Sequence, residues 1–206
     1  MRLRLGLILA GVVLLALPVA AARADGAAPP RILPARDVMV VYRIAAPGHP
    51  AQTWRVRYRA AGELVRARGL DGPAAGAVVL LDIPAGRAQV VLAQMHAVVE
   101  IPGLSATMAQ VLALRGARFT RLGAARIAGH DCTRYLVLRR DADGTACITT
   151  GGVVLAAAGK DGHGSASVRA ESVAQRPQDP ALFVPPAGYA PITLPPSVLA
   201  GLLGGG

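Results

Sequence analysis

Between Trp54 and Ala60 apolar side chains alternate with arginines, in the order Trp54, Arg55, Val56, Arg57, Tyr58, Arg59, Ala60. A period of two marks a strand with one face buried, and it commits this stretch to a sheet. If the chain reverses at Ala61 and Gly62, Arg57 stands opposite Arg66 and Arg55 opposite Arg68, so Arg55, Arg57, Arg59, Arg66 and Arg68 share one face. Trp54, Val56, Tyr58, Val65 and Ala67 take the other. Like charges directly across a ladder destabilise it unless something answers them.

Segments of the same kind recur along the chain. Val38 to Ile44 alternates and is broken by "APGHP"; Val78 to Ile83, a turn at Pro84 to Arg87, Ala88 to Leu92 and Val98 to Ile101 follow the arginine hairpin. Later come Phe119 to Ile127, Thr133 to Arg140, Thr145 to Thr150, Val153 to Ala158 and Ser165 to Val173, with turn chemistry in "DADG" and "GKDGHG" between them. Leu104 to Arg115 is the clearest helical stretch. Ser105 can cap it, and Met108, Val111, Leu112 and Arg115 recur at helical spacing. About ten or eleven short strands with one or two helices predict a mainly β, antiparallel α+β domain.

The ends bear on location. Arg2 and Arg4, the apolar run from Leu5 to Ala22 and the small-x-small triplet Ala22-Arg23-Ala24 spell a secretory signal peptide, residues 1–24, cleaved after Ala24. Residues 25–36, rich in Ala and Pro, read as a linker or an edge segment, 37–193 as the domain, and 194–206 as a flexible Pro/Gly-rich tail. The only cysteines, Cys132 and Cys147, lie far from the cleavage site, so no lipid anchor is expected. The mature protein is expected in the periplasm. The full chain's formal charge of +10 is almost all arginine, a bias that a GC-rich genome produces by itself, and it falls to about +7 once Arg2, Arg4 and Arg23 leave with the signal peptide. It also suits anionic envelope surfaces, whereas nucleic acid is not expected in that compartment and no motif for it is present.

Three steps near the C-terminus carry a resemblance. They are Gly129, Cys132, Thr133 and Tyr135; then Cys147, Ile148, Thr149, Gly152, Val153 and Leu155; and finally Phe183, Pro186, Gly188 and Tyr189. In this pattern the stretch from Ile127 to Tyr189 resembles an uncharacterised exported branch of the LolA-like superfamily. The resemblance implies a strongly curved antiparallel sheet forming a half-open β-barrel with one or two covering helices. It also implies a lipid or acyl chain as the kind of ligand such a cavity holds. One convincing helix is fewer than lipoprotein carriers use to close theirs, so the resemblance does not extend to that role.

Two cysteines in an exported chain default to a disulfide. Local geometry argues back: a regular "DADG" hairpin with Arg140 beside Thr145 puts Cys147 opposite Leu138, and Cys132 then lies roughly 20 Å along the strand, beyond disulfide reach. A bulge, an earlier turn, or Cys132 folding back would remove the objection. A metal site from His130, Cys132 and Cys147 lacks a fourth ligand at a usable spacing, and no metal or cofactor is expected. His49, His96 and His163 are scattered, Asp82 and Glu100 are isolated, and Ser105 and Ser197 lack a nucleophile-elbow context. No catalytic residue is assigned, and an enzyme is not expected.

Two readings remain. In the first, Tyr42, Trp54, Val56, Tyr58 and Val65 line the concave face, Met108 and Leu112 face them from the helix, and a lipid or other apolar molecule sits between. In the second, the chain is a structural or adaptor module that docks an anionic membrane surface or envelope protein through Arg55, Arg57, Arg59, Arg66 and Arg68.

Overall fold

The computed structural model describes residues 28–101, 116–139, 142–161 and 164–193. The expected signal peptide, the Leu104 to Arg115 helix with Met108 and Leu112, and the tail lie outside the described residues.

Twelve strands form one sheet: β1 (Val38–Ala45), β2 (Gln52–Arg59), β3 (Leu64–Gly69), β4 (Val78–Asp82), β5 (Arg87–Leu92), β6 (Ala97–Glu100), β7 (Arg118–Ile127), β8 (His130–Leu138), β9 (Asp143–Ile148), β10 (Val154–Asp161), β11 (Gly164–Gln175) and β12 (Ala190–Ile192). Their spatial order is β12-β6-β5-β4-β3-β2-β1-β11-β10-β9-β8-β7. Neighbours are antiparallel except β12, a strand the alternation did not show, which lies parallel to β6. Short 3-10 turns occur at Gly72–Ala74, Ala93–Met95 and Pro180–Phe183.

The arginine hairpin pairs as its alternation dictates, Arg57 with Arg66 and Arg55 with Arg68. On β1, Val38, Val40 and Tyr42 stand opposite Tyr58, Val56 and Trp54. This face is the inner one. Glu63, where the chain enters β3, and Phe119 on β7 line one small cavity together with Pro29 to Leu33. Seven strand spacings would put these two positions roughly 33 Å apart in a flat sheet. The sheet therefore curls, with Trp54 and Tyr58 inside, into an open half-barrel whose ends, β12 and β7, do not pair.

The inner face holds the main core, including Val38, Val40, Tyr58, Ile83, Ala88 and Leu155. Residues 31–35, read from sequence as linker or edge, are packed on the domain. Leu33 rests on the core, Ala35 donates to the Gly151 carbonyl at 2.8 Å, and Arg31 and Leu33 lie over Gly152. Gly152 has φ +85° and no room for a β-carbon, two reasons for glycine at that point of the motif.

The C-terminal segment crosses the outer face. Phe183 is buried beside Leu64 and Leu80, Tyr189 packs on Val78, Leu80 and Val91, and the chain then pairs with β6. On β4 to β6 both faces are thus apolar, which explains the near-continuous hydrophobic run from Ala77 to Ile83.

Cys132 and Cys147 are joined, with Cα atoms 5.4 Å apart. The geometric objection fails because the hairpin turns early. Leu138 pairs with Asp143, so Cys147 sits opposite Arg134, two residues from Cys132. Gly144 is a strand residue, not a turn residue: a β-carbon there would run into Ala158 and Gly159 on β10.

Candidate functional site

The inner face opens at one end into a cleft of about 300 Å³. Ile44, Phe119, Val137 and Val168 form its walls, and Ile32 reaches it from the N-terminal segment. Small residues from neighbouring strands, Gly144, Ala146, Ala157, Gly159 and Ala166, form the floor. Their ladder partners place them on one side: Val137 faces Gly144, Ala146 faces Ala157, and Ala157 faces Val168. The cleft exists because these side chains are small. Backbone amides beneath it are paired in the sheet, so its surface is almost wholly apolar, with Arg139 and Asp143 at the rim.

Of the residues expected to line a pocket, Tyr42, Trp54, Val56, Tyr58 and Val65 share the inner face but do not line this cleft, and Met108 and Leu112 lie outside the described residues. Tyr58 is buried in the core, and Val56 and Val65 are half-buried beside it. Tyr42 donates to the Val154 carbonyl at 2.7 Å, and burial pushes its phenol up to about 12. Trp54 is half-buried, with its indole N–H 3.3 Å from Gln52 Oε1. Ile44, the next inner-facing residue of β1 beyond Tyr42, connects the two regions. The signal that sequence reading missed was the run Ala156-Ala157-Ala158-Gly159 opposite Gly144 and Ala146, where absence of bulk makes the space.

On the outer face the arginines are partly occupied. Arg57 donates to Gln178 Oε1 at 3.0 Å and Arg66 to the Leu182 carbonyl at 2.9 Å, so both hold the C-terminal segment. Burial first, then the charges of Arg176 and Arg55, lowers the Arg57 guanidinium from its ordinary value. Arg66 is lowered by burial and by Arg68 and Arg57. Arg59 bonds the Ala61 carbonyl, Arg68 is exposed, and the buried Nε of Arg55 has no hydrogen-bond partner. Nearby, Asp71 is held below the usual carboxylate range by hydrogen bonds from Thr53, with a smaller effect from Arg43 at 3.6 Å.

Motif residues build the frame. Gly129 sits with Ala128 in a two-residue turn at positive φ, Thr149 Oγ1 accepts from Val153 N–H at 3.0 Å, and Val153 and Leu155 are buried. The disulfide takes both thiols away from the metal alternative with His130. No helix among the described residues is long and apolar enough to cross a membrane.

No family model matches the chain, and no curated protein matches it. Solved structures do. An uncharacterised conserved protein from Thermus thermophilus is similar at a TM-score of 0.54 with 11% identity, over 78% of this chain and 91% of its own. MucB is similar at 0.52 with 14% identity, over 76% of this chain and 60% of MucB, so this chain spans less than two thirds of it. MucB of Pseudomonas aeruginosa is also known in complex with MucA. A LolA superfamily protein from Nitrosomonas europaea matches at 0.42 with 12% identity, over 75% of this chain and 93% of its own. At these identities the likeness is one of fold, the curved open sheet that the resemblance implied.

Proposed function

We propose that this chain is a non-enzymatic, exported binding protein that holds an apolar ligand, a lipid or single acyl chain, on the inner face of its half-barrel in the periplasm. The observation that carries the reading is the open cleft of about 300 Å³, walled by Ile44, Phe119, Val137 and Val168 with almost no polar surface. Apolar surface left open to water on a concave face gains from being covered by an apolar molecule. Tyr42, Trp54, Val56, Tyr58 and Val65 continue the same face, and Met108 and Leu112 are proposed to add contacts to it. The signal-peptide pattern in the sequence of residues 1–24 supports export.

Trp54 is the only tryptophan and lies diagonally across the ladder from Ile44 at the end of the cleft. Titrating decanoate or a lysophospholipid should shift its emission saturably. Ala157→Arg, which places a long cation on the cleft floor, should abolish the shift while leaving the circular dichroism spectrum unchanged. An emission spectrum unmoved by every apolar ligand, in folded protein, would remove the reading. N-terminal sequencing of exported protein should begin at Asp25.

A further inference from the structure

A row of paired residues crosses the outer face at right angles to the strands: Arg134 on β8, Cys147, Ala156, Arg169 on β11, Arg43 on β1 and Thr53. Arg55 and its partner Arg68 continue the basic surface on β2 and β3. Arg134, Arg169, Arg43 and Arg68 are all exposed. Among the described residues the carboxylates there are few: Asp71 is engaged by Thr53 and Arg43, Glu171 is exposed on β11, and Asp143 stands beside Lys160 at the strand ends. Between Arg134 and Arg169 the face is hollowed into a groove of about 360 Å³, floored by Thr145, Ala156 and Ala158, with Leu122 at its edge. Leu122 is 49% exposed and sits at a bulge of β7.

From this arrangement we infer that the outer groove is a docking surface for an extended acidic segment of a partner protein. Two properties select that occupant. The arginines follow the curve of the half-barrel: from Arg134 to Arg68 is six strand spacings, roughly 29 Å of arc. A flat bilayer would touch such a surface along one line, whereas an extended chain can follow it. The spacing also fits, because Arg134 and Arg169 are three strands apart, roughly 14 Å, about the distance between residues i and i+4 of an extended chain. Carboxylates at those positions would meet guanidinium groups suited to bidentate hydrogen bonding. The groove lies on the opposite side of the sheet from the apolar cleft, so this inference stands or falls independently of the ligand reading.

Fluorescence anisotropy of a labelled decaglutamate peptide, titrated with the full chain at low salt, tests it. Binding should weaken about tenfold or more in Arg134→Gln/Arg169→Gln and tighten in Glu171→Gln, which removes an opposing charge. Arg36→Gln/Arg87→Gln removes the same charge elsewhere and should leave affinity within about twofold. All these side chains are exposed or half-exposed, and circular dichroism checks that each variant folds. The inference is overturned if wild type fails to bind the peptide or if both double variants lose affinity equally. Binding to phosphatidylglycerol vesicles without binding to decaglutamate overturns it too, in favour of a membrane surface.

Discussion

Asp37 has two carboxylate oxygens and uses both on backbone: Oδ1 accepts from Ala60 N–H and Oδ2 from Gln178 N–H, each at 2.8 Å. One side chain thus ties the end of the arginine strand to the start of the C-terminal segment. Asp37→Ala leaves two donors without partners, on half-buried Ala60 and buried Gln178, and an unmet donor costs about 1–3 kcal/mol. The expected loss of stability is about 2–4 kcal/mol by urea unfolding, with Asp37→Asn intermediate because its amide keeps one acceptor. Equal stability of Asp37→Ala and wild type would show that water replaces the carboxylate at both amides. Sequence reading passed over Asp37 because a lone aspartate before a strand has no pattern. It found the arginines because their partners are set by alternation and one turn, both local. Arg57 and Arg66 proved to be half-committed to a segment more than a hundred residues away, which no local pattern contains.

At the scale of elements, the Phe183 to Tyr189 motif is a fastening. Phe183 is 7% exposed against Leu64 and Leu80, Gly188 turns at φ +81°, and Tyr189 covers Val78, Leu80 and Val91 while its ring lies 5.3 Å from that of His96. Phe183→Ala should cost about 3 kcal/mol, and amide exchange should rise first in β12 and β4, the strands the segment holds or covers. If exchange rises equally in β8 and β9, the segment is not a separate fastening but part of one cooperative unit. Strands β1 to β6 were legible because their apolar runs are bounded by Gly and Pro turns. The β8–β9 hairpin was misjudged at Gly144, where glycine serves a close crossing of strands and looks in sequence like a turn. β12 was missed because three residues with a proline, joined in parallel to a distant strand, leave no periodic trace.

For the whole molecule the open sheet presents two different surfaces, an apolar cleft inside and a basic groove outside, separated by the thickness of one layer of strands. That arrangement makes a linked test of both. A ligand that binds only the native state adds about 2.7 kcal/mol of stability at a concentration of 100 times Kd. In a domain of this size that raises Tm by about 5–10 °C. Decanoate and decaglutamate should each produce a rise of that order at saturation, and together their rises should add, because the ligands touch opposite faces of strands already locked in register by the Cys132–Cys147 bond and the ladder. Ala157→Arg should cancel the decanoate rise alone, and Arg134→Gln/Arg169→Gln the decaglutamate rise alone. A combined rise well above the sum would mean that filling the cleft reshapes β8 to β11 into a better groove, since the floors of cleft and groove are opposite sides of β9 and β10, and would make the half-barrel a coupled receptor. A combined rise no larger than either alone would mean that both probes compete for one surface, and the assignment of two faces would fail.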